Sequence, residues 1–205
     1  MTRVSLNEIE FCARKAAGAI GWPFGFAEEI GRAAVWSAVQ IPAAISSLLD
    51  LIESQHRQAD CTLNGRTAVF ARATAPSAVA AFDLLAAGAC DKAVFRQVSS
   101  PLGLIGFGGS ASVAFDTAFR LRWAGGLGEV AAGHCRLSGE LGNDCQYAAE
   151  VVSPKCGDPL RVEIDGAVIN DAVWHRLQLL AARTLVPATS KSRETGAGAG
   201  VVDRD

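Results

Sequence analysis

The sequence predicts an α+β fold: an N-terminal three-helix unit, a mixed α/β middle with a largely antiparallel sheet, then a C-terminal helix and an ordered Gly/Ala-rich tail. Three observations predict it. Apolar residues recur at helical spacing through the first quarter of the chain. Short runs of alternating apolar and polar residues follow, bounded by Gly, Pro and Asp-Gly turns. Helices and strands do not alternate regularly, as they would in a doubly wound α/β chain.

The first helix starts at a capping box, Ser5-Leu6-Asn7-Glu8. The serine hydroxyl can take a free amide, and the glutamate can reach back to the serine. Leu6, Ile9, Ala13, Ala16 and Ile20 form its apolar face, and Gly18 and Gly21 end it. Trp22-Pro23-Phe24-Gly25 is a turn. A second helix is expected over about 26–39, with Glu28 and Glu29 in its first turn, where they suit the positive end of the helix dipole. A third runs over about 42–55.

Beyond it, Ala68-Val69-Phe70-Ala71 reads as a short strand, and Pro76 opens a helix that Gly88 closes. Residues 93–98 form another strand. The stretch from Ser100 to Gly109 reads as an apolar strand with glycine bends, followed by a short helix from Ser110. Phe119, Leu121 and Trp123 alternate with Arg120 and Arg122, the mark of a strand with one wet face. Further strands are expected near 129–135, 145–152 and 160–164, and a last helix over about 170–183. One domain is expected over 1–205, comprising a helical unit (1–57), an α+β body (64–183) and a C-terminal segment (184–205).

Half of the residues are hydrophobic and a fifth are charged, enough apolar material for a real core. The net charge of -2 leaves no basic excess to track a phosphate backbone, so no nucleic-acid partner is expected. No leader-like apolar run follows Met1, and the most apolar stretch, 77–90, contains Asp83 and is too short to span a bilayer. The expectation is a soluble, cytoplasmic protein with no membrane partner. Six cysteines stand singly, with no C-x-x-C pair. His134, Cys135, Cys145 and Cys156 form the one ligand-like cluster, but zinc ligands usually come in close pairs, so burial explains the cysteines and no metal is assigned.

The closing segment holds most of the candidate chemistry. Gly196, Gly198 and Gly200 alternate with alanine, so one side of an extended chain would bear no side chain and admit close approach. Asp203 and Asp205 fall together on one side. Ser190, Ser192 and Arg193, with free glycine amides, are ingredients of an anion site. Neither a P-loop nor a Rossmann fingerprint is present. Glu28 and Glu29 are further candidates, as general acid/base groups.

Three blocks carry a family resemblance. They are Ser5-Leu6-Asn7-Glu8-Ile9-Glu10 with Ala13-Arg14-Lys15-Ala16-Ala17; Trp22-x-x-Gly25-x-Ala27-Glu28-Glu29-x-Gly31-x-Ala33; and the ending with Ser192-Arg193-x-x-Gly196-Ala197-Gly198-Ala199-Gly200-x-x-Asp203-x-Asp205. Together they resemble a largely proteobacterial family, a domain of unknown function. Lys191 and Arg204 depart from the family pattern, where a glutamate and an asparagine are usual. Both add positive charge, which argues against a metal role for the aspartates. The resemblance implies an ordered closing segment and supplies no activity and no cofactor.

Two functions stay open. The first is an enzyme or binding protein for a small anionic metabolite. Ser190, Ser192 and Arg193 would hold the anion, and Asp203 and Asp205 would position a polar group. The second is a non-catalytic subunit whose tail inserts into a protein partner or into its own dimer mate. No residue is assigned a catalytic role.

Overall fold

The computed structural model describes residues 1–54, 58–131, 134–142, 145–152 and 166–184. The chain opens on a strand, β1 (Thr2–Ser5), that runs directly into α1 (Leu6–Ala19). Ser5 caps the helix: its Oγ accepts the Glu8 amide at 3.3 Å, and the Glu8 carboxylate accepts the Ser5 amide at 3.1 Å. Gly21 reverses the chain at φ +89°, a conformation that costs glycine nothing. Trp22 then locks the turn by donating its indole N–H to the Ile52 carbonyl at 2.8 Å. Next come α2 (Phe24–Gln40) and α3 (Ala44–Glu53), the latter sinking Ile45, Leu48, Leu49 and Ile52 into the core.

The middle of the chain lays down β2 (Cys61–Asn64), β3 (Thr67–Phe70), α4 (Ala75–Ala86), β4 (Lys92–Val98) and α5 (Pro101–Ala114). It continues through β5 (Ala118–Trp123), β6 (Gly126–Ala131), β7 (His134–Gly139) and β8 (Cys145–Val152). These strands form one seven-stranded sheet in the order β2-β3-β4-β8-β5-β6-β7. β3 and β4 are parallel, joined across α4; the other neighbours are antiparallel. Alternation sorts the two faces. Phe95, Phe119, Leu121 and Tyr147 are buried on one. On the other, Arg120 hydrogen-bonds Glu129 at 2.6 Å and lies 3.6 Å from Glu150.

The chain returns to its start. β9 (Gly166–Ile169) pairs antiparallel with β1, and Asn170 caps α6 (Asp171–Ala182) by accepting the Ala172 amide at 2.9 Å. Helix α6 lies against α1 and touches α3. Arg176 carries the α6–α3 contact, with Asp50 at 2.9 Å and a hydrogen bond to Glu53.

Helix α5 is the hub. It contacts α2, α3 and α4 and leans on β5 and β6. From Gly103 to Ser110 it is buried throughout, and a helix so enclosed is apolar all round; its glycines let the neighbours close in. A Cβ on Gly103 would lie 2.8 Å from the Ser47 carbonyl oxygen of α3, and one on Gly109 would lie 2.1 Å from Cε2 of Trp36 on α2.

The expected architecture needs correcting. An α+β fold with N-terminal helices is present, and its sheet is antiparallel except at β3–β4, but the described structure closes on α6. The ordered Gly/Ala-rich tail is not part of it: 185–205 lies outside the described residues, as does the strand expected at 160–164. The stretch 101–109 is helix, not bent strand, because its glycines serve helix–helix contact. The strand expected at 129–135 is two strands of a hairpin, β6 and β7, with Ala131 paired to His134. The β1–β9 ribbon flanks the three-helix unit and ties it to the end of the described chain.

Candidate functional site

A pocket of about 310 Å³ opens between α1, α2 and α5. That is the low end of the usual range for small-molecule sites. From α2 it takes Arg32, Val35, Trp36, Val39 and Gln40, at helical spacings i, i+3, i+4, i+7 and i+8, one continuous stripe. From α5 it takes Ser110, Val113 and Ala114, again at i, i+3 and i+4. Glu10 of α1 completes the lining.

Each position follows from local packing. Gly31 lets α1 approach α2, since a Cβ there would meet the Glu10 side chain at 3.1 Å and its carbonyl oxygen at 3.2 Å. The Glu10 stem is thereby laid against α2. Trp36 is held against Gly109, only 6% exposed, with its indole N–H pointing at the Ala131 carbonyl 3.4 Å away. Ser110 is 5% exposed and its Oγ has no hydrogen-bond partner among the described residues. A buried hydroxyl left unsatisfied costs about 1–3 kcal/mol.

The lining carries one charge of each sign, Glu10 and Arg32. Arg32 is ion-paired to Glu29, one turn earlier on α2. The Glu29 hydrogen bond raises the guanidinium above its ordinary range against the opposing effect of burial, and the charges of Glu29, Glu28 and Glu10 reinforce it. Burial pushes the Asp83 carboxyl of α4 up, and Glu29 adds to that shift. No ion pair engages Glu10 among the described residues.

The residues singled out in the sequence fall elsewhere. Ser190, Ser192, Arg193, Gly196, Gly198, Gly200, Asp203 and Asp205 lie outside the described residues. Glu28 and Glu29 are half-buried on α2, but the helix starts at Phe24, so neither is in its first turn. Glu29 holds Arg32, and Glu28 acts on Arg32 only through its charge. Among the described members of the cysteine and histidine group, sheet register separates the thiols. Cys135 shares the row of Val130, Phe119 and Val151, and Cys145 is six residues along β8 from Val151. That offset is roughly 20 Å along the strands, so the two cannot share an ion. Cys156 lies outside the described residues. Among the described residues no group of three or more His, Cys, Asp or Glu could hold a metal. No described helix is long and apolar enough to cross a membrane.

Sequence reasoning missed the pocket because its apolar members read as core. The signal was present in the α2 spacing, where Arg32 and Gln40 end an apolar stripe that should otherwise carry only core residues. It pairs with Ser110 amid the glycines of α5, where a hydroxyl would be expected to find a partner.

Residues 4–74 match a family described as a protein of unknown function, DUF3726, and a DUF3726 domain is present over that stretch. It spans β1 to β3 and supplies Glu10 and the α2 wall of the pocket, but not α5. No curated protein and no solved structure matches the chain.

Proposed function

We propose that the protein binds a small molecule in the pocket between α1, α2 and α5. One observation carries the reading: an apolar pocket of ligand size is walled in part by Ser110, whose buried hydroxyl lacks a partner among the described residues. Apolar walls supply the affinity, and a few placed polar groups fix orientation. Among the described residues no hydrogen bond joins Ser110 to Glu10, the hydroxyl and the carboxylate of the lining.

An alternative placement on the same chain is an anion site built from Ser190, Ser192 and Arg193. The two placements are separable in the full chain. Ala114 is exposed at the pocket rim, so Ala114→Trp should fill the mouth without disturbing the fold. Native mass spectrometry of the purified protein, followed by ligand-observed NMR against a metabolite library, identifies binders. Ala114→Trp should abolish their binding, and the double variant Ser192→Ala/Arg193→Ala should leave it intact. The opposite pattern would sink the pocket reading and move the site to the C-terminal segment.

A further inference from the structure

We infer that the ligand of this pocket is an organic cation, an amine on a compact apolar body, and not an anionic metabolite; the inference rests on the small-molecule reading of the pocket. The lining carries two charged side chains, Glu10 and Arg32. Arg32 is committed to Glu29 through an ion pair within its own helix. Glu10 has no ion pair among the described residues, and its stem is held in place against Gly31. The charge left for a ligand is therefore the Glu10 carboxylate.

The surroundings point the same way. Glu28 and Glu29 stand on α2 beside Arg32, and Asp83 on α4 lies within the influence of Glu29. Against them stand Arg32 itself and Arg14, whose Cβ lies near Gly31 on the α1 side. Within the lining an anion meets the Glu10 carboxylate, and the Arg32 charge it would seek is already shared with Glu29. A cation meets Glu10 directly. The walls suit its body: Val35, Val39 and Val113 are aliphatic, and Trp36 adds an aromatic surface, which attracts a cation within roughly 6 Å of its face.

The test is a trio of probes of one shape and three charges: benzylamine, benzyl alcohol and benzoate. Each is titrated into the full-length protein and followed by chemical-shift changes at Trp36 and Ala114. Benzylamine should bind more tightly than benzoate by at least about fivefold, the factor expected from one solvent-screened ion pair. Glu10→Gln, which keeps the stem on Gly31, should remove most of that preference while leaving benzyl alcohol unchanged. If benzoate binds as well as the amine, or if Glu10→Gln leaves amine binding intact, the cation inference is overturned while the pocket reading stands. The same holds if none of the three binds and other library molecules do. If no molecule shifts the pocket resonances, both fail.

Discussion

Cys135 sits on β7 with its thiol half-buried, and burial pushes its pKa from 9.0 up to about 11. The unfolded chain loses this proton near the ordinary value, whereas the folded chain keeps it about two pH units longer. Between those values the folded state binds more protons, so stability must fall as pH rises. Below pH 9 the group contributes no pH dependence. Urea midpoints measured from pH 8 to pH 11 should decline over the upper part of that range, and Cys135→Ala should decline less. An equal decline in both would show that other groups carry the alkaline loss. The same burial makes this thiol a poor nucleophile and a poor metal ligand at neutral pH, because both roles need the thiolate. The sequence already argued for burial here from the single spacing of the cysteines. It could not show the sheet register that sets Cys135 and Cys145 far apart.

At the scale of elements, α2 and α5 are joined by a contact with an unusual defect. The Ser37 Oγ is buried without a partner among the described residues, and a Cβ on Gly106 would lie 2.4 Å from it, with the Ala33 carbonyl oxygen and the Ser37 Cβ next at 3.8 Å. Alanine at 106 alone should therefore destabilise the protein by about 1–3 kcal/mol through overpacking. Ser37→Ala alone removes an unsatisfied hydroxyl and should be neutral or stabilising. In the Ser37→Ala background the obstruction at 106 is gone, and replacing a mid-helix glycine by alanine contributes about 1 kcal/mol. The double variant should then exceed the parent in stability, and a double-mutant cycle by urea denaturation measures the coupling. Additive effects would mean that Ser37 does not limit α5. This contact also explains what the sequence concealed. The first helix was legible because its cap is local: Ser5 with Glu8 marks α1. The helix α5 was not, because Gly103, Gly106, Gly108 and Gly109 disfavour a helix in isolation. Their value appears only when α2, α3 and α4 close around them. The pocket was hidden for the same reason, since it is a property of two helix faces brought together.

On the scale of the whole molecule, the β1–β9 ribbon joins residues 2–5 to 166–169, and α1 and α6 extend from it side by side. No local signal announces this closure, because its partners are more than 160 residues apart. Yet Val4 and Ile169 belong to the same connected core as Phe70, Phe95 and Leu104. If that core is one cooperative unit, damage to the ribbon must be felt everywhere. Ile169 is fully buried, so Ile169→Ala should cost about 2–5 kcal/mol. Tryptophan fluorescence and far-UV circular dichroism should report a single coincident urea transition, shifted to lower urea in the variant by the same amount for both probes. Native-state hydrogen exchange adds resolution. Amides of α5 and of the central strands β4, β8 and β5 should lose protection together with those of α1 and α6. An early loss confined to α1, α6 and the ribbon, with the sheet transition unmoved, would divide the chain into two folding units. The pocket walls make the distinction matter for function: Glu10 and α2 are on the ribbon side and Ser110 is on the hub helix. One cooperative unit keeps the two walls in fixed relation, whereas two units would let ligand binding be tuned by their separation. Adding a pocket ligand to the exchange experiment decides between these, because in a single unit it must protect α1 and α5 to the same extent.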